Sequence, residues 1–225
     1  MKKYLIAGAA LVASLSSSVF ADNFNGPYAG LTFGANAFQS SYTQAAPGVT
    51  GGASVTPSAT LFNHGLFAGY GHTMGQFYVG GELLLANQTG EAKSSSIGGN
   101  NVATSYVTVK ERFSINPALR LGALIAPKTL AFLTIGTVGT QFEVNATPLA
   151  NTTPTTKYKK TLWGYSFGAG FETLVTDSMS IRGSYTHNIY PTKTFTITNP
   201  GANNQGKISP RDNIFRLGAA YHFSF

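Results

Sequence analysis

Phe215-Arg216-Leu217-Gly218-Ala219-Ala220-Tyr221-His222-Phe223-Ser224-Phe225 ends the chain in strict alternation. Phe215, Leu217, Ala219, Tyr221, Phe223 and Phe225 fall on one face, and Arg216, Gly218, Ala220, His222 and Ser224 on the other. Successive side chains of a strand point to opposite sides, whereas a 3.6-residue helical period would mix the two sets. The segment therefore predicts a strand with one apolar surface and one small or polar surface. A strand lying between lipid and a polar interior has this pattern.

The same period recurs upstream. Trp163, Tyr165, Phe167, Ala169 and Phe171 alternate with Gly164, Ser166, Gly168, Gly170 and Glu172, and Leu31, Phe33, Ala35 and Ala37 with Gly30, Thr32, Gly34 and Asn36. Phe77, Val79, Leu83 and Leu85 oppose Gly80, Glu82 and Leu84; Ile181, Tyr185 and Ile189 oppose Ser180, Arg182, Ser184 and Thr186. Further strands are expected around Phe62–Tyr70, Val102–Ile125 and Leu130–Val144. In the second of these Phe113, Ile115, Leu119, Leu121 and Ala123 face away from Lys110, Arg112, Ser114, Arg120 and Gly122; both faces of the third are apolar and its orientation stays open. The count is eight, and a closed antiparallel barrel of one chain needs an even number. Pro117 is the obstacle, since proline cannot donate to a ladder and a closed barrel has no edge. A turn there would make nine strands, so Pro117 is expected to form a bulge.

Composition agrees with this class and excludes others. Of the 225 residues only 10 % are charged, where soluble domains carry about a quarter, yet 11 Tyr, 16 Phe and one Trp exclude a disordered chain. From Asn23 to Gly81 no Asp, Glu, Lys or Arg occurs, but Gly, Pro, Asn, Ser and Thr interrupt the stretch too often for a membrane helix. Lys2 and Lys3 precede a run of apolar and small residues to Val19, and Val19-Phe20-Ala21 presents a signal-peptidase site. Residues 1–21 are thus expected to be a cleaved signal peptide and residues 22–225 one barrel domain. Cysteine is absent, so no disulfide or lipidated Cys supports an exported fold.

The connections divide into two kinds. Thr73–Gln76, Ala126–Thr129 and Val175–Ser178 read as tight turns, whereas Gln39–Ala59, Gln88–Asn101, Asn145–Tyr158 and Pro191–Arg211 read as long polar loops. Short turns at one end and long loops at the other characterise outer-membrane barrels, with the turns in the periplasm.

Taken together, Gly26-Pro27-Tyr28-Ala29-Gly30, Tyr78-Val79-Gly80-Gly81-Glu82, Arg120-Leu121-Gly122, Gly168-Ala169-Gly170-Phe171-Glu172 and the C-terminal segment resemble the OmpA-like and opacity-type family of eight-stranded outer-membrane barrels. The resemblance implies an all-β, transmembrane, antiparallel up-and-down barrel in the outer membrane of a Gram-negative bacterium. It also implies that Tyr221, Phe223 and Phe225 form the signal read by the outer-membrane assembly machinery during insertion. Ser184 departs from the family, which often has Glu in the seventh strand.

Inside a barrel of this width there is room only for side chains. Glu82, Arg120, Glu172, Arg182 and Arg216 are expected to form a lumen charge network, with Lys110 and Arg112 farther up, because unpaired buried charge is very costly. Outside, Trp163, Tyr165, Tyr185 and Tyr221 suit interfacial girdles. On the long-loop side Lys93, Lys157, Lys159, Lys160, Lys193, Lys207 and Arg211 outnumber Glu91, Glu143 and Asp212. These cations are expected to contact lipopolysaccharide phosphates in the surrounding outer-membrane lipid, or an anionic host-surface or extracellular ligand.

Catalysis finds no support in the sequence. His187-Asn188 is followed by Ile189 where a lipid deacylase would place Ser, and no Asp or Glu intervenes before Asp212, so a nucleophile, base and orienting acid are not assembled. The remaining histidines have no metal-ligand spacing, no phosphate-cradling loop leads into a helix, and no basic stripe indicates nucleic acid. No cofactor is expected. The expected role is structural or surface-interacting, adhesin-like and carried by four extracellular loops; the alternative is a narrow porin-like channel for small or hydrophobic molecules.

Overall fold

A strand whose neighbours are both filled satisfies every backbone donor and acceptor, and in hydrocarbon only closure of the sheet achieves this. The computed structural model describes residues 24–45, 53–94, 97–99, 102–148, 156–199 and 202–223 and shows that closure. The signal-peptide segment and Phe225 lie outside the described residues. Eight long strands form the wall: β1 (Gly26–Ala45), β3 (Ser58–Met74), β4 (Phe77–Thr89), β7 (Val102–Ala126), β8 (Thr129–Pro148), β9 (Thr156–Leu174), β10 (Met179–Ile189) and β12 (Ala202–His222). Each pairs antiparallel with the next, and β12 returns to β1 in an unbroken register from Tyr28↔His222 to Ala45↔Gln205. Four short strands, β2 (Ala53–Val55), β5 (Ala92–Lys93), β6 (Ile97–Gly99) and β11 (Lys193–Asn199), decorate the long-loop end.

At the other end the hairpins are tight. Gly75, at a φ of 63°, turns β3 into β4; Pro127-Lys128 and Val175–Ser178 make the other two turns. Both ends of the described chain lie there: Phe223 N–H donates to Pro27 O at 2.9 Å, and the Phe24 and His222 rings meet edge to face at 5.5 Å. At the opposite end the strands run well past the expected loop boundaries, so the loops are shorter than the sequence indicated. β1 continues to Ala45, β8 to Pro148, and β12 begins at Ala202.

The reason is an inversion of polarity along the staves. In the lower part apolar side chains point outward: Leu31, Phe33, Leu66, Leu121, Leu133, Phe171, Ile181 and Leu217 are exposed, while the inward positions carry the polar residues. Above this band the pattern reverses. Phe38, Tyr42, Leu61, Val107, Val109, Phe142, Val144, Leu162 and Ile208 fill the interior, whereas Gln39, Ser41, Thr60, Lys159 and Lys207 face out. The upper segment has the polarity of a water-soluble sheet, apolar inside and polar outside, a collar standing on the membrane part. Eight residues of β1 beyond Ala37, at about 3.3 Å each and tilted by about 40°, raise it roughly 20 Å. This also orients β8, whose inward row is Leu130, Phe132, Val138, Phe142 and Val144 and whose outward row includes Leu133 and Ile135.

Pro117 is not a bulge. It pairs with Leu83 of β4 in an unshifted register, and the β7–β8 register is the same on either side of it. Its missing N–H faces β8, whose ladder skips Asn116 and Pro117; the Asn116 amide donates to Thr137 O at 2.7 Å and supplies the donor proline lacks. The β7 register shifts lie elsewhere, one at the turn between Leu124 and Ala126 and one earlier, between Glu111 and Ser114, where three steps on β7 match two on β8. The slip between Glu111 and Ser114 changes which residues face inward. Val107, Val109 and Glu111 are inside before it, Ser114 and Arg120 after it, and Lys110 and Arg112 are turned to the outer surface, contrary to expectation. There Lys110 meets Glu91 at 2.9 Å and Arg112 meets Glu143 at 3.9 Å.

Candidate functional site in the barrel lumen

Four staves place charged side chains at one level of the lower lumen. Arg120 of β7 donates from Nη2 to Glu172 Oε2 at 2.7 Å, and from Nη1 to Glu82 Oε2 at 3.3 Å and to the Tyr28 hydroxyl at 3.0 Å. Arg182 of β10 grips Glu82 with two bonds, 2.6 and 3.1 Å. Glu172 Oε1 accepts from Ser180 Oγ at 2.6 Å and lies 3.0 Å from His222 Nε2. The guanidiniums are sandwiched against rings, Arg120 at 4.0 Å from the Phe132 centroid and Arg182 at 3.3 Å from Phe67. Two carboxylates and two guanidiniums make this layer neutral without help.

Arg216 stands apart from it. Its Nε donates to Asn63 Oδ1 at 2.7 Å and its Nη1 to Thr186 Oγ1 at 3.0 Å, and among the described residues it makes no ion pair. It belongs to a second polar layer beneath the collar, with Asn36, Gln88, Glu111, Asn188, Tyr190 and Asp212. Asp212 was expected among the charges of the long-loop side; it is 0 % exposed, because β12 has already entered the barrel by that residue. Glu111, which the sequence reading did not single out, is 1 % exposed. Asn36 Nδ2 and Gln88 Nε2 donate to Glu111 at 2.7 and 3.2 Å; Tyr190 Oη and Asn188 Nδ2 donate to Asp212 at 2.9 and 3.3 Å.

Between the layers a cavity of about 30 Å³ is bounded by Glu82, Arg182, Thr186 and Arg216, the space of about one water. Above them the collar interior is packed, with the Phe142 ring 5.0 Å from Tyr190 and 6.2 Å from Phe38. The lumen is closed twice, by a polar plug and by an apolar one.

The expected surface cations are on strands of the collar. Lys159, Lys160, Lys193, Lys207 and Arg211 are exposed; Lys157 pairs with Asn145, and its side chain lies outside the described residues. Glu91 joins Lys93 at 2.7 Å and Lys110 at 2.9 Å, and these hydrogen bonds hold its carboxyl down at about 2. In the lipid-facing band Trp163, Tyr165, Tyr185 and Tyr221 are exposed, and the Tyr221 and Phe223 rings meet at 5.0 Å.

Among solved structures the chain is similar to the outer membrane protein OprG of Pseudomonas aeruginosa, with a TM-score of 0.64 at 12 % identity, covering 89 % of this chain and 97 % of that one. It is also similar to the outer membrane protease OmpT of Escherichia coli, with a TM-score of 0.55 at 9 % identity, covering 92 % and 100 %. At these identities the likeness concerns the fold alone. No curated protein sequence matches the chain significantly. A family model described as the outer membrane protein beta-barrel domain matches residues 7–223, nearly the whole chain. This match, with the closed eight-stranded wall and its apolar belt, shows that the chain belongs to that family of Gram-negative outer-membrane barrels.

Proposed function

We propose that the protein is a non-conducting surface barrel, anchored by its lower half and displaying its collar and loops to extracellular partners. The observation that carries this reading is the double closure of the lumen beneath a raised, outwardly polar collar. A solute would have to displace the Arg120–Glu172 pair, with both side chains at most 1 % exposed, and then pass a packed aromatic layer. The collar meanwhile lifts Lys159, Lys160, Lys193, Lys207 and Arg211 to where lipopolysaccharide phosphates or anionic groups on another cell can be met, with an attraction that weakens as salt rises. Insertion by the outer-membrane assembly machinery through the C-terminal aromatics belongs to the same reading.

The test pairs two measurements. Purified protein in planar bilayers is expected to give no steady conductance. Cells displaying it are expected to bind anionic surfaces in a salt-sensitive way, and changing Lys159, Lys160, Lys193 and Lys207 to Gln should reduce that binding with the barrel still assembled. Binding unaffected by these changes, or a reproducible pore, refutes the proposal.

One observation favours the alternative, a narrow channel for hydrophobic molecules. The β9–β10 ladder ends at Tyr165↔Ile189, so among the described residues β9 above Tyr165 has no paired neighbour on that side. A cavity of about 430 Å³ opens at this seam between Trp163, Tyr165, Ile189, Tyr190 and Pro191, next to the apolar collar interior. Uptake of an apolar solute by cells, abolished by closing the seam with a disulfide between strands, would support this reading over the first.

A further inference from the structure

A groove of about 770 Å³ crosses the outer wall over β3, β1, β12, β10 and β9, and on the first three of these strands it lies in the part of the apolar belt nearest the collar. Its shape follows from the outward rows. Phe215 and Leu217 of β12 form a central ridge. On one side Ala35 of β1 leaves a hollow walled by Phe33 and Phe62; on the other, Gly183 of β10 and Ala169 of β9 leave a second, walled by Tyr185 and Phe171. A Cβ added to Gly183 would meet only Leu217 Cδ2, at 3.8 Å, so the second hollow is open space.

The upper rim of the groove is polar. Along the same strands the next outward residues are Ala37, Asn213 and His187, and then Gln39, Arg211 and Ile189, in one register row with Tyr165. Asn213 Oδ1 accepts from the Tyr185 hydroxyl at 2.7 Å and lies 2.9 Å from His187 Nδ1. That leaves Asn213 Nδ2 and His187 Nε2 without a partner among the described residues. A polar nitrogen at the edge of hydrocarbon is costly unless something meets it. Arg211, two residues above Asn213, is exposed and makes no ion pair among the described residues. An apolar groove with a cation and unmet donors at its mouth matches an amphiphile that has acyl chains and an anionic head.

We propose that this groove is a binding site for one lipopolysaccharide molecule, its acyl chains lying in the two hollows and a phosphate of its head held by Arg211 and the Asn213 amide. Phosphate oxygens accept, which suits a guanidinium and an amide N–H. Two hollows parted by a ridge suit a lipid with several chains, and the half of the belt nearest the collar faces the outer leaflet. The site rests on the reading above in one respect, that the collar points to the cell exterior; it needs neither adhesion nor a closed lumen.

The test extracts the protein from outer membranes in mild detergent and reads retained lipid by native mass spectrometry. One lipopolysaccharide per barrel is expected, kept in preference to phospholipid. Arg211→Glu sets a like charge against the phosphate and should lower retention at least about tenfold, the equivalent of one charged hydrogen bond. Gly183→Leu fills one hollow and should lower it as well, whereas Gly81→Leu, outward on β4 at the opposite side of the barrel, should leave it unchanged. Retention equal in all three variants and the unaltered protein would overturn the site as no more than surrounding lipid. Preference for phospholipid would overturn the choice of ligand, and a lipid-free dimer would assign the groove to a second copy of the chain. Should a variant fail to assemble, the preference of the unaltered protein still decides. Labelling of Lys159 and Lys207 on intact cells with a membrane-impermeant reagent reads the placement of the collar separately, so a failure of that reading is told apart from a failure of the site.

Discussion

Replacing Arg120 with Met tests the lumen most directly. The change removes a cation 1 % exposed and strands two acceptors, Glu172 at 2.7 Å and Glu82 at 3.3 Å. Breaking one side of a buried pair costs about 3–5 kcal/mol, because the partner charge stays buried and uncompensated. Here Glu82 keeps its two bonds to Arg182, and Glu172 keeps Ser180 and His222, which puts the expected loss near the lower end, about 3 kcal/mol. In equilibrium terms that is roughly a 150-fold fall in the folded-to-unfolded ratio. Urea unfolding in lipid vesicles reads it, with Trp163, the one tryptophan, reporting from the lipid-facing surface. The double variant Arg120→Met with Glu172→Gln removes both charges and should recover at least about half of the loss, since a neutral pair leaves no bare ion. A loss under about 1 kcal/mol for the single change, or a double variant as unstable as the summed singles, would refute the account of the plug as a mutually neutralised layer.

Further outcomes follow from other parts of the wall. Asn116→Ala leaves Thr137 O without a donor and should cost about 1 kcal/mol, whereas the same change made with Pro117→Ala should cost less, because the alanine N–H restores the ladder; a double-mutant cycle in urea measures the coupling. Phe142→Ala empties the centre of the collar and should cost about 3–5 kcal/mol without opening a steady pore, as the lower plug remains, which bilayer recording checks. Glu91 should titrate at about 2 by carbon NMR. A depressed carboxyl contributes stability above its unfolded value near 4.5 that is lost as pH falls through about 2, and Lys93→Ala with Lys110→Ala should return the titration toward 4.5. High salt should shrink this shift, since the ion pair is partly exposed.

The membrane half was legible because lipid and a closed lumen impose opposite demands on neighbouring residues. Leu217 beside Arg216 and Phe171 beside Glu172 can be sorted by period alone. Arg120, Glu82, Glu172 and Arg182 could be found for the same reason, as charges on the side away from lipid. Glu111 was hidden by the slip between 111 and 114, which reverses phase inside one continuous strand; a period carried back from Arg120 places Lys110 inside and Glu111 outside. Asp212 and the collar were hidden differently. Once the outward row becomes polar, Gln39-Ser41-Thr43 looks like a loop, although Phe38 before them and Tyr42 among them continue the strand with its faces exchanged. A pattern search for lipid-facing strands ends where lipid ends, while the hydrogen-bonded wall does not.

The exchange of faces also constrains how the barrel can be built. Gln39, Ser41, Lys159, Lys207 and Arg211 stand on the outside of the collar, yet each must travel from the periplasm to the far side of the bilayer. Drawn through hydrocarbon on a finished wall, that polar girdle would meet a cost of about 2–4 kcal/mol for each Arg or Lys at the midplane. Spontaneous insertion should therefore be slow, and faster in thin or defect-rich bilayers. Once across, the same girdle becomes a ratchet: the collar cannot slip back, and the protein is held at one depth by a surface that stays outside the hydrocarbon at rest.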